Sequence, residues 1–129
     1  MGGMARIQTS GEIQSLLTRL EGETISLLQV LGVNSLKSMT AMPEALAGET
    51  VTATLVEDRR LTVFTSGHRV VFDLQLTGKL VWQTGVVPYA VTSASVRPTV
   101  RLILVNGQGL DLTEPAKTKR ITVTISPDP

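Results

Sequence analysis

The stretch VVFDLQLTGKLVW, residues 70–82, decides the fold. Val70, Phe72, Leu74 and Leu76 alternate with Val71, Asp73 and Gln75. A period of two puts one set of side chains on one face of a β-strand. Thr77-Gly78 then stops the run, and a second short apolar run starts at Lys79. The reading is strand, break, strand, and the same pattern continues on both sides.

Upstream, TVTATLVE (residues 50–57) sets Val51, Ala53 and Leu55 against threonines. RRLTVF (residues 59–64) follows, then the turn Thr65-Ser66-Gly67. Downstream, residues 83–98 hold Gly85, Pro88 and Pro98 among serines and threonines and read as a long loop. VRLILV-NG-QGLDLTE reads as a hairpin. Its Asn106-Gly107 pair suits a type I′ turn, in which both central residues need positive φ. Leu102 and Leu104 would then face Leu110 and Leu112. RITVTI (residues 120–125) is a last alternating strand, and SPDP reads as a frayed tail.

The N-terminal part differs. Thr9 and Glu12 have the spacing of a capping box. Ile13, Leu16, Leu17 and Leu20 follow at helical spacing, and Gly22 is a natural stop. TISLLQVL (residues 24–31) reads as a strand, and MPEAL (residues 42–46) as a helical turn with Pro43 near its start. One helix and about seven or eight short strands argue for a mainly β fold: a β-sandwich or flattened barrel with an N-terminal helix. No repeat or linker divides the chain, so residues 1–129 are expected to form one domain with its core at about 4–125.

Composition sets limits. With 129 residues, 42% of them hydrophobic, the chain can build one modest core. Its net charge of +1 gives no global polyelectrolyte character, so any nucleic-acid role needs a local basic patch. The absence of cysteine excludes disulfides and thiolate metal sites. No apolar stretch is long enough to span a membrane, and MGGMARIQTS lacks an apolar signal core, so a cytoplasmic location is expected. The MGG before Met4 reads as an added leader, with Met4 as the native start. Four aromatics, Phe64, Phe72, Trp82 and Tyr89, are too few for a stacking platform. His68, the single histidine, is expected to be exposed beside the Ser66-Gly67 turn. Ser10, Ser66 and Ser93 lack a nucleophile-elbow context.

Three motifs in order carry a family resemblance. Leu20-Glu21-Gly22-Glu23-Thr24-Ile25, Leu46-Ala47-Gly48-Glu49-Thr50-Val51 and Leu74-Gln75-Leu76-Thr77-Gly78-Lys79-Leu80 resemble successive motifs of the N-terminal domain of the formamidopyrimidine-DNA glycosylase and endonuclease VIII family. The later hairpin fits as well, with Glu114-Pro115 where the family has Asp-Pro. The resemblance runs from about Met4 to Val123 and implies a β-sandwich that meets DNA.

The resemblance also marks departures. The family's nucleophile is an N-terminal proline followed by a glutamate, and here Met4-Ala5-Arg6 stands in that place. Removal of Met4 would leave Ala5 a primary amine able to form a Schiff base, but with no carboxylate beside it. Pro43 of Met42-Pro43-Glu44 is internal, and its tertiary amide nitrogen cannot attack. By resemblance, Arg59 takes the place of a lysine on DNA phosphate, although a solvated strand end beside Glu57 and Asp58 fits it too. Leu76 takes the place of a methionine that fills the space of a flipped base, and its own setting reads as core or turn packing. Lys79 lies in the same DNA-facing motif, and Lys117 falls where the family has an Arg-Arg-Phe wedge. The family's helix-two-turn-helix module and zinc finger have no counterpart in this sequence.

The expectation is a non-catalytic module with weak contact to the backbone of duplex DNA, needing no cofactor or metal, with a homodimer or partner protein as further association and no membrane. The alternatives are a glycosylase/lyase domain working with a partner chain, and a structural module with no nucleic-acid role. Arg60, Arg69, Arg97, Arg101, Lys119 and Arg120 complete the cations that could share a face.

Overall fold

The computed structural model describes residues 8–32, 35–37, 41–90, 97–115 and 120–127. One helix, α1 (Ser10–Thr18), precedes eight strands: β1 (Ile25–Val30), β2 (Val51–Glu57), β3 (Arg60–Thr65), β4 (His68–Asp73), β5 (Lys79–Gln83), β6 (Val100–Leu104), β7 (Gly109–Thr113) and β8 (Thr122–Pro127). A 3₁₀ turn, Pro43–Leu46, lies between β1 and β2. The strands form two antiparallel four-stranded sheets, in the orders β1-β6-β7-β5 and β2-β3-β4-β8. The expected helix and mainly β sandwich are both present.

Alternation works because each sheet turns one face inward. Leu28, Leu102 and Leu110 are level across the first sheet, as are Val100, Leu112 and Leu80. In the second, Leu61, Phe72 and Val123 are level, as are Val63, Val70 and Ile125. All of these belong to one buried cluster, which also takes Ile13, Leu17 and Leu20 from α1 and the turn after it. The helix lies against β2 and β5, the edge strands of the two sheets on that side. Its capping box is formed as expected. Thr9 Oγ1 accepts the Glu12 N–H at 3.1 Å, and Glu12 Oε1 accepts the Thr9 N–H at 2.8 Å. No helix among the described residues is long and apolar enough to cross a membrane.

Four details depart from the sequence reading. The alternation in β2 changes face, because the register shifts between Val51 and Ala53. That bulge leaves Val51 inside but turns Ala53 and Leu55 out, Leu55 being 44% exposed. Thr54 and Val56 turn the other way and are half-buried, and the exposed Glu21 carboxylate accepts both the Thr54 N–H and its hydroxyl. Second, the alternation through Leu76 overshoots, since β4 ends at Asp73. Third, the 104–109 hairpin is not type I′. Gly107 has φ 88°, but Asn106 is not among the residues with positive φ. The Gly107 N–H bonds Leu104 O at 3.1 Å and the Leu104 N–H bonds Gln108 O at 2.8 Å, so the loop has three residues rather than two. Leu102 does pair with Leu110, but Leu112 pairs with Val100, and Leu104 pairs with Ile25 of β1. Fourth, Ser126 and Pro127 extend β8, with Pro127 opposite His68, instead of fraying.

Candidate functional site

Several segments converge at one end of the sandwich. Glu57 pairs with Arg60, Arg60 with Asp73 and Asp73 with Thr122, which brings the β2–β3 turn level with the end of β4 and the start of β8. The chain entering α1 joins them. Gln8 donates to Leu80 O at 2.9 Å and accepts the Leu80 N–H at 2.8 Å. Ser10 Oγ reaches Asp58 O at 3.5 Å.

The turn between β4 and β5 is the most constrained part of this end. The Leu74 N–H bonds Arg59 O at 2.9 Å, and the Gly78 N–H bonds Leu74 O at 3.1 Å. Asp73 Oδ1 accepts the Gln75 N–H at 2.9 Å, and Gln75 sits at φ 58°. A Cβ on Gly78 would stand 2.5 Å from Leu74 O and 3.0 Å from Ile121 Cδ1, so only glycine fits there. These contacts explain why the strand breaks where it does, and why the break begins at Leu74 rather than at Thr77.

Each expected site residue has a definite place, apart from Lys117, which lies outside the described residues together with Met4, Ala5 and Arg6. Arg59 is half-buried. It donates Nε to Gln75 O at 2.9 Å and Nη2 to Gly78 O, while Nη1 is closed off from solvent with no hydrogen-bond partner. Leu76 is 83% exposed at the tip of the turn, so it is neither core nor turn packing. Lys79 opens β5 opposite Thr113 and is exposed. Arg60, exposed and 3.9 Å from Asp73, and exposed Arg120 belong to the same end. A recess of about 310 Å³ is lined by Glu57, Asp58, Arg59, Arg60 and Asp73. Its three carboxylates offset its two guanidiniums, so any positive field here comes from Lys79 and Arg120. Glu114 accepts the Thr99 hydroxyl at 3.0 Å and the N–H groups of Arg120 (2.8 Å) and Ile121 (3.1 Å), which ties the end of β7 to the residues that lead into β8.

The cations do not all share one face. Arg97 donates to Leu31 O. Arg101 is internal: it forks onto Asp111 with two bonds of 2.8 Å, donates to Val87 O at 3.0 Å and lies over the Tyr89 ring. The hydrogen bond to Asp111 raises its pKa further above the usual guanidinium value, although burial opposes this.

The sequence reading of His68 is also corrected. His68 is largely covered, and its Nδ1 lies 2.8 Å from Glu49 Oε2. Glu49 also accepts the Thr65 hydroxyl at 2.5 Å and the Gly67 N–H at 3.0 Å. Burial pushes the Glu49 carboxyl up, but the bonds from Thr65, Gly67 and His68 outweigh it and hold the carboxyl below its ordinary value. Of the aromatics, Phe72 is buried and Phe64, Trp82 and Tyr89 are half-buried. The described residues contain no group of three His, Cys, Asp or Glu side chains able to hold a metal.

No protein-family model matches this chain, and no curated protein does. Solved structures do. The complex of Lactococcus lactis Fpg (MutM) with a FAPY-dG-containing DNA has a TM-score of 0.67 at 15% identity, over 89% of this chain and 41% of that one. A complex of the LlFpg protein with a THF-DNA and an inhibitor gives 0.68 at 14% identity, with coverage of 89% and 41%. Lactococcus lactis Fpg with abasic-site DNA gives 0.66 at 16%, again over 89% and 41%. At these identities the likeness is one of fold, and the chain spans about two-fifths of the length of the solved chains it matches. Its fold is that of an Fpg/MutM N-terminal domain, as the ordered Gly-x-Thr and Thr-Gly-Lys-Leu motifs imply.

Proposed function

We propose that this chain is a non-catalytic binding module that contacts the backbone of duplex DNA through the end of the sandwich formed by the β2–β3 turn and residues 74–79. Leu76 carries the reading. Leaving a leucine side chain in water forgoes roughly 2 kcal/mol of burial, yet a densely hydrogen-bonded turn holds this one 83% exposed. Such a residue suits apolar contact with a partner. Exposed Lys79 and Arg120 lie at the same end, Lys117 is proposed as a further phosphate contact, and the solved structures of the same fold are complexes with DNA. The non-catalytic part rests on Met4-Ala5-Arg6, which offers neither the family's proline nor its glutamate. The proposed setting is the cytoplasm.

Fluorescence anisotropy of a labelled duplex over a salt series tests this. Three or four phosphate contacts predict a log–log slope of roughly −3 and a Kd on the order of 10⁻⁴ to 10⁻⁶ M, indifferent to base sequence. Lys79→Ala with Lys117→Ala should flatten the slope by about two units, whereas Leu76→Ala should weaken binding at constant slope. Absence of binding at low salt removes the reading. Borohydride treatment with an abasic-site duplex should trap no adduct. An adduct that vanishes when the N-terminal amine is blocked would establish the enzyme reading instead.

A further inference from the structure

We propose that Arg59 is a positioning residue, which holds the 74–78 turn so that Leu76 projects, and is not itself a phosphate contact. This deepens the DNA-binding reading and rests on it for the purpose of the turn. Arg59 grips the turn at three points. Its carbonyl accepts the Leu74 N–H, its Nε–H donates to Gln75 O and its Nη2–H donates to Gly78 O. These points bracket Leu76 on both sides. The remaining nitrogen, Nη1, is closed off from solvent, so the fork is turned into the protein. The hairpin that carries Arg59 is itself fixed, since Glu57 pairs with Arg60 across only two residues and Asp58 takes φ 59°. The turn is in this way braced against a sheet by a planar group that bonds two carbonyls at once. A lysine has one nitrogen on a flexible stem and lacks the rigid planar fork that reaches both carbonyls from fixed positions. Charge at this position therefore matters less than shape, and among the described residues the exposed cations left to meet phosphate are Lys79 and Arg120.

The discriminating variant is Arg59→Lys, which keeps the charge and loses the fork. Arg59→Ala and Leu76→Ala serve as companions, and circular dichroism confirms that each is folded. Amide exchange at residues 75–78 should rise at least tenfold in Arg59→Lys, with β3, β4 and β7 unchanged. Duplex affinity should fall to that of Leu76→Ala, the double variant should be no weaker than Leu76→Ala alone, and the salt slope should stay within about 0.3 of wild type. Full retention of exchange protection and affinity in Arg59→Lys, with a slope flattened by about one unit in Arg59→Ala, would mean a phosphate contact and overturn the proposal. In the wild-type protein, the Arg59 Nε–H resonance should be protected in the free state and should not move at saturating duplex. A large shift on binding overturns the proposal even if Arg59→Lys fails to fold. If wild type binds no duplex, the DNA reading falls. The exchange comparison then stands alone: faster exchange in Arg59→Lys upholds the brace, and unchanged exchange refutes it.

Discussion

Asp111 is 3% exposed on a central strand, and its charge is tolerable because the Arg101 fork and Gln83 Nε2, at 3.2 Å, bond its oxygens. Removing one partner strands the other, so Asp111→Ala should cost about 3–5 kcal/mol, measured by urea denaturation. Replacing both by apolar residues of similar size should cost much less. Glu49 gives a pH signature. Its carboxyl is held below the ordinary value of 4.5, so its contribution is fully present above about pH 4.5 and is lost as pH falls through the lower folded value. Stability measured from pH 6 to pH 3 should fall more steeply in wild type than in Glu49→Gln. Equal slopes would exclude this role. Neither pair was legible in the sequence. Arg101 finds Asp111 only through strand register, and a two-residue loop at Asn106-Gly107 would have set Arg101 opposite Leu112. The extra loop residue makes the ion pair. Glu49 and His68 meet because the segment after the 3₁₀ turn packs beside the β3–β4 turn, a contact that no local pattern announces.

Among elements, those with local chemistry could be read directly. The Thr9–Glu12 box fixes the start of α1, and Thr9→Ala should cost about 1 kcal/mol in chemical denaturation. Strand identities followed from alternation, whereas strand ends and faces did not. β2 flips at its bulge, and β4 stops at Asp73, three residues short of Leu76, because Asp73 caps a turn that Arg59 braces. Alternation reports which face a residue would take if the strand continued, and hydrogen bonds from elsewhere decide whether it does. Gly78 marks the same junction. Gly78→Ala would press a methyl group against Leu74 O and Ile121, with an expected loss of about 1–3 kcal/mol. A melting temperature equal to wild type would show that the junction can relax.

At the scale of the whole molecule, the mainly β architecture was legible from counting strands, but the assignment of strands to sheets was not, since sequence order does not state partners. The sheet of β2, β3, β4 and β8 has an outer face on which Ala53, Leu55, Phe64 and Val71 lie among threonines. We propose that this face supports a weak homodimer. Light scattering should show concentration-dependent mass that Leu55→Glu suppresses, and a monomer at high concentration counts against it. The interleaving of the two sheets also dictates an order of assembly. The β2-β3-β4 meander is local and can form as soon as its own residues are available, but β1 has its neighbouring strand in β6, Val30 meeting Val100, and β4 waits for β8 at the far end of the chain. Long loops must close before those contacts stabilise anything, which places the domain among slow folders, on the order of milliseconds to seconds. During synthesis the β1 segment, one of the most apolar in the chain, emerges early and stays without its strand partner until β6 has left the ribosome. Until then that apolar segment is the part of the nascent chain most open to aggregation.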